Sequence, residues 1–139
     1  MTNSAPFRAD QVGSLLRPAE ILDAREHREN GEISDAELRK IEDECIRDIV
    51  QMQEGVGLKS ITDGEFRRYS FTHDFINKIE GVNFEKNPDF KPGGATDAKQ
   101  QWQLPPFRAI VSERMVRPSE GIEVENFRFL KSVVNETAK

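Results

Sequence analysis

The sequence predicts an α/β protein built from parallel βα units. A long amphipathic helical segment, 35–55, is followed by a short apolar segment, 58–62. A second apolar segment, 107–112, precedes another amphipathic segment, 122–137. Strands that alternate with helices are typical of a parallel sheet, because a crossover helix is needed to return the chain.

Length and charge limit the classes of function. The chain has 139 residues, enough for one domain, with 36% hydrophobic and 32% charged residues. Its net charge of -5 gives no support to nucleic-acid binding. No apolar run is long enough to span a membrane, and residues 1–6 form a polar tail rather than a signal peptide. We therefore expect a cytoplasmic protein with no membrane partner.

The metal-binding and nucleophilic residue types are sparse. Cys45 is the only cysteine, and His27 and His73 are the only histidines. Zinc sites are usually built from cysteines and histidines, so a zinc site made from this chain alone is a poor prospect. Cys45 falls on an apolar helical stripe, which favours a small core residue over a nucleophile. His27 lies among Arg25, Glu26, Arg28 and Glu29, which favours a solvated face.

The first predicted strand, Phe7–Val12, ends in Gly13-Ser14. Two interpretations fit this ending. In the first, the glycine lets the backbone approach a ligand, and the serine hydroxyl forms a hydrogen bond with that ligand. In the second, the pair is a plain turn into the next helix. That helix is predicted over Pro18–Glu29, with proline at the first helical position and Gly31 as a left-handed cap.

The second predicted helix, Asp35–Gly55, has the clearest signals. Ser34 and Glu37 form a capping box at its start. Apolar residues recur at spacings of three and four, which predicts the buried face. That stripe comprises Leu38, Ile41, Cys45, Ile49, Met52 and Val56, widened by Ile46 and Val50; the wet face includes Glu42 and Asp43.

The strand predicted over Leu58–Thr62 ends in Asp63-Gly64-Glu65. These residues form either an ordinary turn with solvated charges or the rim of a polar site at the carboxyl end of a strand. Further along, residues 81–106 show no sustained period and are predicted as an irregular excursion. Val82–Glu85 is a candidate outlying strand within it, and Trp102 either covers a pocket or contacts a partner.

Three predicted strands cannot close a barrel, which needs eight strands and roughly 250 residues. The chain is therefore either a small open α/β unit or the first part of something larger. Three strands cover the apolar faces of the helices poorly, so the sequence predicts exposed hydrophobic surface. We expect a homo-oligomer or a missing remainder of the fold.

Three stretches carry a family resemblance: Phe7–Pro18, which contains Val-Gly-Ser-Leu-Leu-Arg-Pro; Ile41-Glu42-Asp43; and Ile61–Arg68, which contains Asp-Gly-Glu-Phe-Arg-Arg. Together they resemble the cobalamin-independent methionine synthases, most closely the single-barrel members similar to the C-terminal catalytic barrel. The resemblance covers essentially all of the chain. It implies a (β/α)8 barrel of which this chain forms the first three βα units, as a single partial domain.

The resemblance also implies a chemistry. The family transfers a methyl group from 5-methyltetrahydrofolate to homocysteine. The thiolate of the homocysteine is bound to zinc. The Gly-Ser pair contacts the amino-acid carboxylate, which assigns substrate binding to Gly13 and Ser14. The glutamate of the Gly-Glu motif binds the ammonium group, which assigns that role to Glu65, with Asp63 at the rim. Full-length synthases have His where Asp63 stands, and many relatives have His where Gln11 stands.

The zinc ligands of the family come from later strands, and nothing in residues 1–139 matches them. The chain alone is therefore predicted to hold no metal ligand and no catalytic residue. Single-barrel relatives include alkyl transferases for other thiols, so homocysteine is itself an inference. Two alternatives to a methyltransferase stay open: a non-catalytic barrel fragment that self-associates or binds a partner chain, and a small amino-acid-binding module.

Overall fold

The structure, a computed structural model, describes residues 10–70, 73–88 and 107–139. The polar tail, residues 7–9 of the first predicted strand, and residues 89–106 with Trp102 lie outside the described residues. The described chain is a mixture of α and β, which agrees with the predicted class. Its elements are α1 (Ala19–Glu29), α2 (Asp35–Gly55), β1 (Ser60–Ile61), α3 (His73–Ile76), β2 (Glu80–Lys86), β3 (Phe107–Val116), α4 (Val124–Val133) and β4 (Thr137–Ala138).

The chain divides into two compact units. The first unit contains the chain up to Arg68 together with Glu123–Lys139, and therefore α1, α2, β1, α4 and β4. The second unit is Tyr69–Ile122, with α3, β2 and β3. The resemblance predicts one partial barrel domain, and the two units are described separately below.

Helix α1 begins one residue later than predicted. Pro18 is the N-cap, with φ -65° and ψ 156°, rather than the first helical residue. The helix ends at Glu29 as predicted, and Gly31 adopts the left-handed conformation at φ 75°. Local signals fixed both ends of this helix within one residue.

Helix α2 has the predicted bounds and the predicted capping box. The Glu37 amide donates to Ser34 Oγ over 3.2 Å, and the Ser34 amide donates to Glu37 Oε2 over 2.8 Å. The predicted buried face was wrong in part. The buried residues are Glu42, Ile46, Val50 and Gln53, whereas Met52 is 46% and Val56 70% exposed. The core includes Ile46 and Val50, at one edge of the predicted stripe, and Cys45 and Ile49 are partly buried against it.

Strand β1 is shorter than the predicted Leu58–Thr62 and pairs in parallel with β4. Ser60 lies opposite Thr137 and Ile61 opposite Ala138. The predicted terminal helix ends at Val133, so that the chain can enter β4. Asp10, Gln11 and Val12, which end the first predicted strand, are not in a strand.

The second unit corrects the expectation of an all-parallel sheet. Strands β2 and β3 are antiparallel, with Val82 opposite Val111 and Lys86 opposite Phe107. Alternating apolar residues predict a strand but not the direction of its partner. The predicted outlying strand, Val82–Glu85, is confirmed as the centre of β2.

The hydrophobic core of the first unit lies between α1, α2, β1 and α4. Its fully buried members are Ile21, Ile46, Val50, Ile61, Phe66 and Leu130. Burying a side chain of this kind stabilises a fold by about 1.5–3 kcal/mol. The predicted exposed hydrophobic surface is also present: Leu16 is 94% and Val12 81% exposed. Among the described residues, no helix combines the length and apolarity that a membrane crossing requires.

Candidate functional site

The candidate site is built on the turn that follows β1. Gly64 has φ 68° and Glu65 has φ 57°, so two consecutive residues are left-handed. For a residue with a side chain this conformation costs roughly 1–2 kcal/mol. Two short side chains hold it: Thr62 Oγ1 accepts from the Gly64 amide and Asp63 Oδ1 accepts from the Glu65 amide, both over 2.9 Å. A strained residue that its neighbours hold in place marks the turn as a candidate site.

Two arginines bind the backbone of this turn. Arg17 Nη2 donates to the carbonyls of Glu65 (3.0 Å) and Arg68 (2.8 Å). Arg25 Nη2 donates to the carbonyl of Phe66 over 2.6 Å. Hydrogen bonds from a charged donor are about twice as strong as neutral ones. The turn is therefore held both to the segment just before α1 and to the second half of α1.

The burial of Arg25 was not predicted. The sequence places it on a solvated face with His27, but only 7% of it is exposed. Ile21 and Ala24 are the other buried residues of α1. Ile21 lies four residues before Arg25 and so shares its side of the helix, and this spacing could have identified the buried arginine.

A buried ion-pair cluster holds the other side of the turn against α2. Arg67 Nη1 lies 3.0 Å from Glu42 Oε2, and Arg67 Nη2 pairs with Asp43 Oδ1. The prediction that Glu42 lies on the solvent-exposed face of α2 was wrong, since this residue is only 7% exposed. The Arg67 guanidinium also lies 5.1 Å from the centre of the Phe129 ring. The Ile41-Glu42-Asp43 motif drew attention to these positions only through the family resemblance and did not predict an ion pair.

Gln53 fixes the end of β1. Its Nε2 donates to the Thr62 carbonyl over 2.8 Å, and its Oε1 accepts from the Thr62 amide over 3.1 Å. The side-chain amide thus takes the place of a strand partner for Thr62. Strand β1 ends at Ile61, one residue before this contact, and Gln53 itself is 1% exposed.

The structure brings the two predicted site segments together. The Leu15 amide donates to the Gly64 carbonyl over 3.1 Å, which joins the Gly13-Ser14 turn to the Asp63-Gly64-Glu65 turn. Gly13 has φ 83°, and it and Ser14 are exposed. Asp63 and Glu65 are half-buried.

Side chains from the first segment line an open cleft of about 440 Å³, formed by Ser14, Leu15, Leu16, Arg17 and Leu22. Asp63 and Glu65 are not among its lining residues. The Glu65 carboxylate lies 3.9 Å from Arg68 Nη1. A hydroxyl and a guanidinium in one cleft can bind a carboxylate, and a half-buried carboxylate nearby can bind an ammonium group.

Zinc does not fit the described residues. Over residues 10–70, 73–88 and 107–139, no group of three or more His, Cys, Asp or Glu side chains could hold a metal ion. His73, in the second unit, packs edge-on against Phe84 with ring centres 5.1 Å apart. Asp74 accepts from the Ser70 amide over 2.5 Å. These contacts account for both side chains structurally.

Cys45 is half-buried and packs against the core, which matches the interpretation as a core residue. Burial raises the pKa of its thiol, and the negative charges of Glu20, Asp48 and Glu44 raise it further. The thiolate is the nucleophilic form, so a raised pKa makes Cys45 a poor nucleophile at neutral pH.

Comparison with known proteins supports the resemblance. The family described as the cobalamin-independent synthase catalytic domain matches residues 7–106. The chain is 47% identical over 78 residues to the uncharacterized protein YxjH of Bacillus subtilis. It is 30% identical over 81 residues to the 5-methyltetrahydropteroyltriglutamate–homocysteine methyltransferase of Thermotoga petrophila. These matches cover 56% and 58% of this chain.

A solved structure is similar over almost the entire chain. It is a Listeria monocytogenes protein provisionally described as a vitamin-B12-independent methionine synthase, with a TM-score of 0.70 and 38% identity. The similarity covers 99% of this chain but 36% of the Listeria protein. The matched regions span 21% of YxjH and 11% of the Thermotoga enzyme. This chain therefore corresponds to a minor part of each relative.

Proposed function

Because the chain belongs to the family of cobalamin-independent synthase catalytic domains, we propose that it supplies the amino-acid-binding corner of a thiol methyltransferase. The corresponding complete enzyme would be a (β/α)8 barrel that methylates homocysteine in methionine biosynthesis. The observation that carries the proposal is the Leu15–Gly64 hydrogen bond of 3.1 Å. It joins two segments that are 49 positions apart and that each contain a residue suited to one end of an amino acid.

Recognition of the carboxylate is assigned to the first segment. Ser14 offers a hydroxyl donor, and Gly13, at φ 83°, leaves its backbone open to a ligand. Arg17 lines the same cleft as Ser14 and adds positive charge. This arrangement favours an anionic group that approaches the exposed face of the Gly13-Ser14 turn.

Recognition of the ammonium group is assigned to the second segment. The Glu65 side chain is 25% exposed, and its carboxylate is 3.9 Å from the nearest nitrogen of Arg68. This long pairing leaves the carboxylate oxygens able to accept from a ligand. The Asp63 side chain holds the Glu65 amide at 2.9 Å, so its role is to position Glu65 at the rim.

The family's methyl transfer implies zinc and 5-methyltetrahydrofolate. Zinc would lower the pKa of the substrate thiol and so supply a thiolate nucleophile. Since the described residues do not fit zinc, we assign only amino-acid recognition to this chain and no step through the metal. Methyl transfer then requires ligands from outside the described residues.

Calorimetric titration of the full chain tests this proposal. L-methionine and L-homocysteine should bind, whereas N-acetyl-L-methionine and L-methionine methyl ester should each bind at least about tenfold more weakly, since a hydrogen bond to a charged group contributes about 1.5–3 kcal/mol. Glu65→Gln should weaken the binding of L-methionine but leave the affinity for N-acetyl-L-methionine unchanged. Ser14→Ala should weaken the binding of L-methionine but leave the affinity for the methyl ester unchanged.

Ser119→Ala and Glu113→Gln are matched controls, because both residues are exposed and belong to the second unit. Both controls should bind L-methionine as the natural sequence does. The proposed site would be excluded if L-methionine gave no heat of binding. It would also be excluded if Glu65→Gln lost equal affinity for L-methionine and for N-acetyl-L-methionine.

A second candidate function is favoured by the exposed apolar side chains of the first unit. Leu16 is 94%, Val56 70% and Phe127 48% exposed. A barrel segment with such surface is completed by packing against another polypeptide. This function needs no bound amino acid, and light scattering distinguishes it from the first.

A further inference from the structure

An apolar groove lies along α2 on the side that the core leaves exposed. Its floor includes Ile41, Ile49 and Met52, which the sequence predicts as part of a buried stripe. The cavity has a volume of about 630 Å³. Pockets of about 300–1,000 Å³ accommodate sizeable apolar groups, so the groove has room for an aromatic side chain and an aliphatic neighbour.

The rim of the groove is acidic. Among the described residues, Glu20, Glu44 and Asp48 line it and no Lys or Arg does. The three carboxylates lie close enough to Cys45 to raise the pKa of its thiol. In the described part of the chain none of the three forms an ion pair within 4.0 Å. An apolar floor with uncompensated negative charge favours an apolar segment flanked by cations.

Helix α4 presents a surface of this kind. Val124 is 37% and Phe127 48% exposed, and Arg128 and Lys131 are exposed too. These positions are spaced three, four and seven residues apart and so share one stripe of the helix. Arg128 pairs with Glu125, while Lys131 makes no ion pair with any described residue.

We propose that a second copy of this chain docks its α4 stripe into the α2 groove. Phe127 and Val124 would enter the apolar floor, and Arg128 and Lys131 would meet the acidic rim. Groove-to-groove contact between copies is disfavoured, because it would bring like charges together. This inference deepens the second candidate function and rests on it. Of the residues that line the groove, only Leu16 also lines the cleft of the amino-acid site.

The contact has a defined symmetry if it is reciprocal. Each copy carries one groove and one stripe, both in the first unit. Mutual docking closes a two-fold dimer, in which groove meets stripe twice. The two surfaces that one copy leaves exposed are then both covered.

Charge reversal with rescue tests this contact by sedimentation velocity. The natural chain should sediment above its monomer mass of 15.9 kDa. A groove variant, Glu44→Lys with Asp48→Lys, and a stripe variant, Arg128→Glu with Lys131→Glu, should each associate at least about tenfold more weakly. An equimolar mixture should re-associate, since the basic groove of one variant matches the acidic stripe of the other.

The mixture also controls for folding, because a variant that failed to fold could not be rescued by its counterpart. Glu113→Lys, in the second unit, is the matched charge reversal and should associate normally. A monomeric natural chain at high concentration would overturn the proposal. So would variants that associate like the natural chain, or a mixture that shows no recovery. A chain that associates but does not bind L-methionine would support the dimer contact and contradict only the amino-acid site.

Discussion

The Leu15 amide and the Gly64 carbonyl form a hydrogen bond of 3.1 Å that ties the segment before α1 to the turn after β1. The bond is made by backbone atoms, so neither side chain specifies it directly. It depends instead on the conformation of Gly64, whose φ of 68° aims the carbonyl. The geometry of the candidate site therefore depends on a residue with no side chain.

We expect Gly64→Ala to destabilise the fold by about 2–4 kcal/mol, as the sum of left-handed strain and overpacking. A Cβ at Gly64 would lie 2.9 Å from Phe66 Cε1 and 3.3 Å from Leu15 Cβ. Phe66 is 2% exposed and cannot move freely. Urea denaturation measures the free energy of unfolding, and calorimetry with L-methionine measures the site.

Gly57→Ala is the matched control. Gly57 has φ 87°, but a Cβ there would meet nothing within 4 Å. Its cost should therefore be about 1 kcal/mol, from backbone strain alone. Equal destabilisation by the two substitutions would show that packing around Gly64 is looser than its distances indicate.

Arg67→Ala should cost about 3–5 kcal/mol, because it leaves buried carboxylates without their partner. The side chains of Arg67 and Glu42 are 6% and 10% exposed. Glu42 also has Arg25, but at 3.9 Å. The double variant Arg67→Met with Glu42→Leu should recover part of the loss, since it removes the buried Arg67–Glu42 pair as a whole and leaves only Asp43, whose side chain is 23% exposed, without Arg67. A double variant less stable than Arg67→Ala would contradict this account.

Local signals were sufficient for α1 and α2, whereas the predicted range of the terminal helix ran into β4. The Ser34–Glu37 capping box and the apolar periodicity gave α2 its bounds, because capping depends on residues a few positions apart. Long-range pairing was not predictable in the same way. Strand β4 is two residues long and carries no periodic signal, yet it is the partner of β1.

The candidate site was predicted as a set of motifs and not as a structure. Gly13, Ser14, Asp63 and Glu65 were chosen by residue type and resemblance, and their ligand-binding roles stay predictions. The residues that hold them were missed. Arg25 and Glu42 are charged, so a hydrophobicity pattern places them on the surface, whereas mutual neutralisation allows their burial.

The His27–Glu32 pair predicts a pH dependence of stability. A hydrogen bond and the negative charge of Glu32 raise the pKa of His27, with Glu26 and Asp23 adding to the effect. A raised folded pKa means that the stabilisation is fully present below the unfolded value of about 6.5. It is lost as the pH rises through the higher folded pKa.

Urea midpoints measured across this range should therefore decrease with rising pH. The decrease should be small, because the pair is exposed to solvent. His27→Gln and Glu32→Gln should each flatten the same part of the profile. A slope that persists in both variants would show that other groups are responsible for it.

Gln53→Leu should destabilise the fold by about 2–4 kcal/mol, since a buried backbone group without a partner costs about 1–3 kcal/mol. The substitution removes the partners of both the amide and the carbonyl of Thr62, at 3.1 and 2.8 Å. Leucine is similar in size, so the loss reports the hydrogen bonds rather than a cavity. Gln53→Glu should be at least as destabilising at neutral pH, because it keeps an acceptor for the Thr62 amide but buries a carboxylate against the carbonyl oxygens of Ile49 and Thr62. Hydrogen exchange should show faster exchange at Thr62 in Gln53→Leu, whereas unchanged exchange there would mean that another group replaces the glutamine.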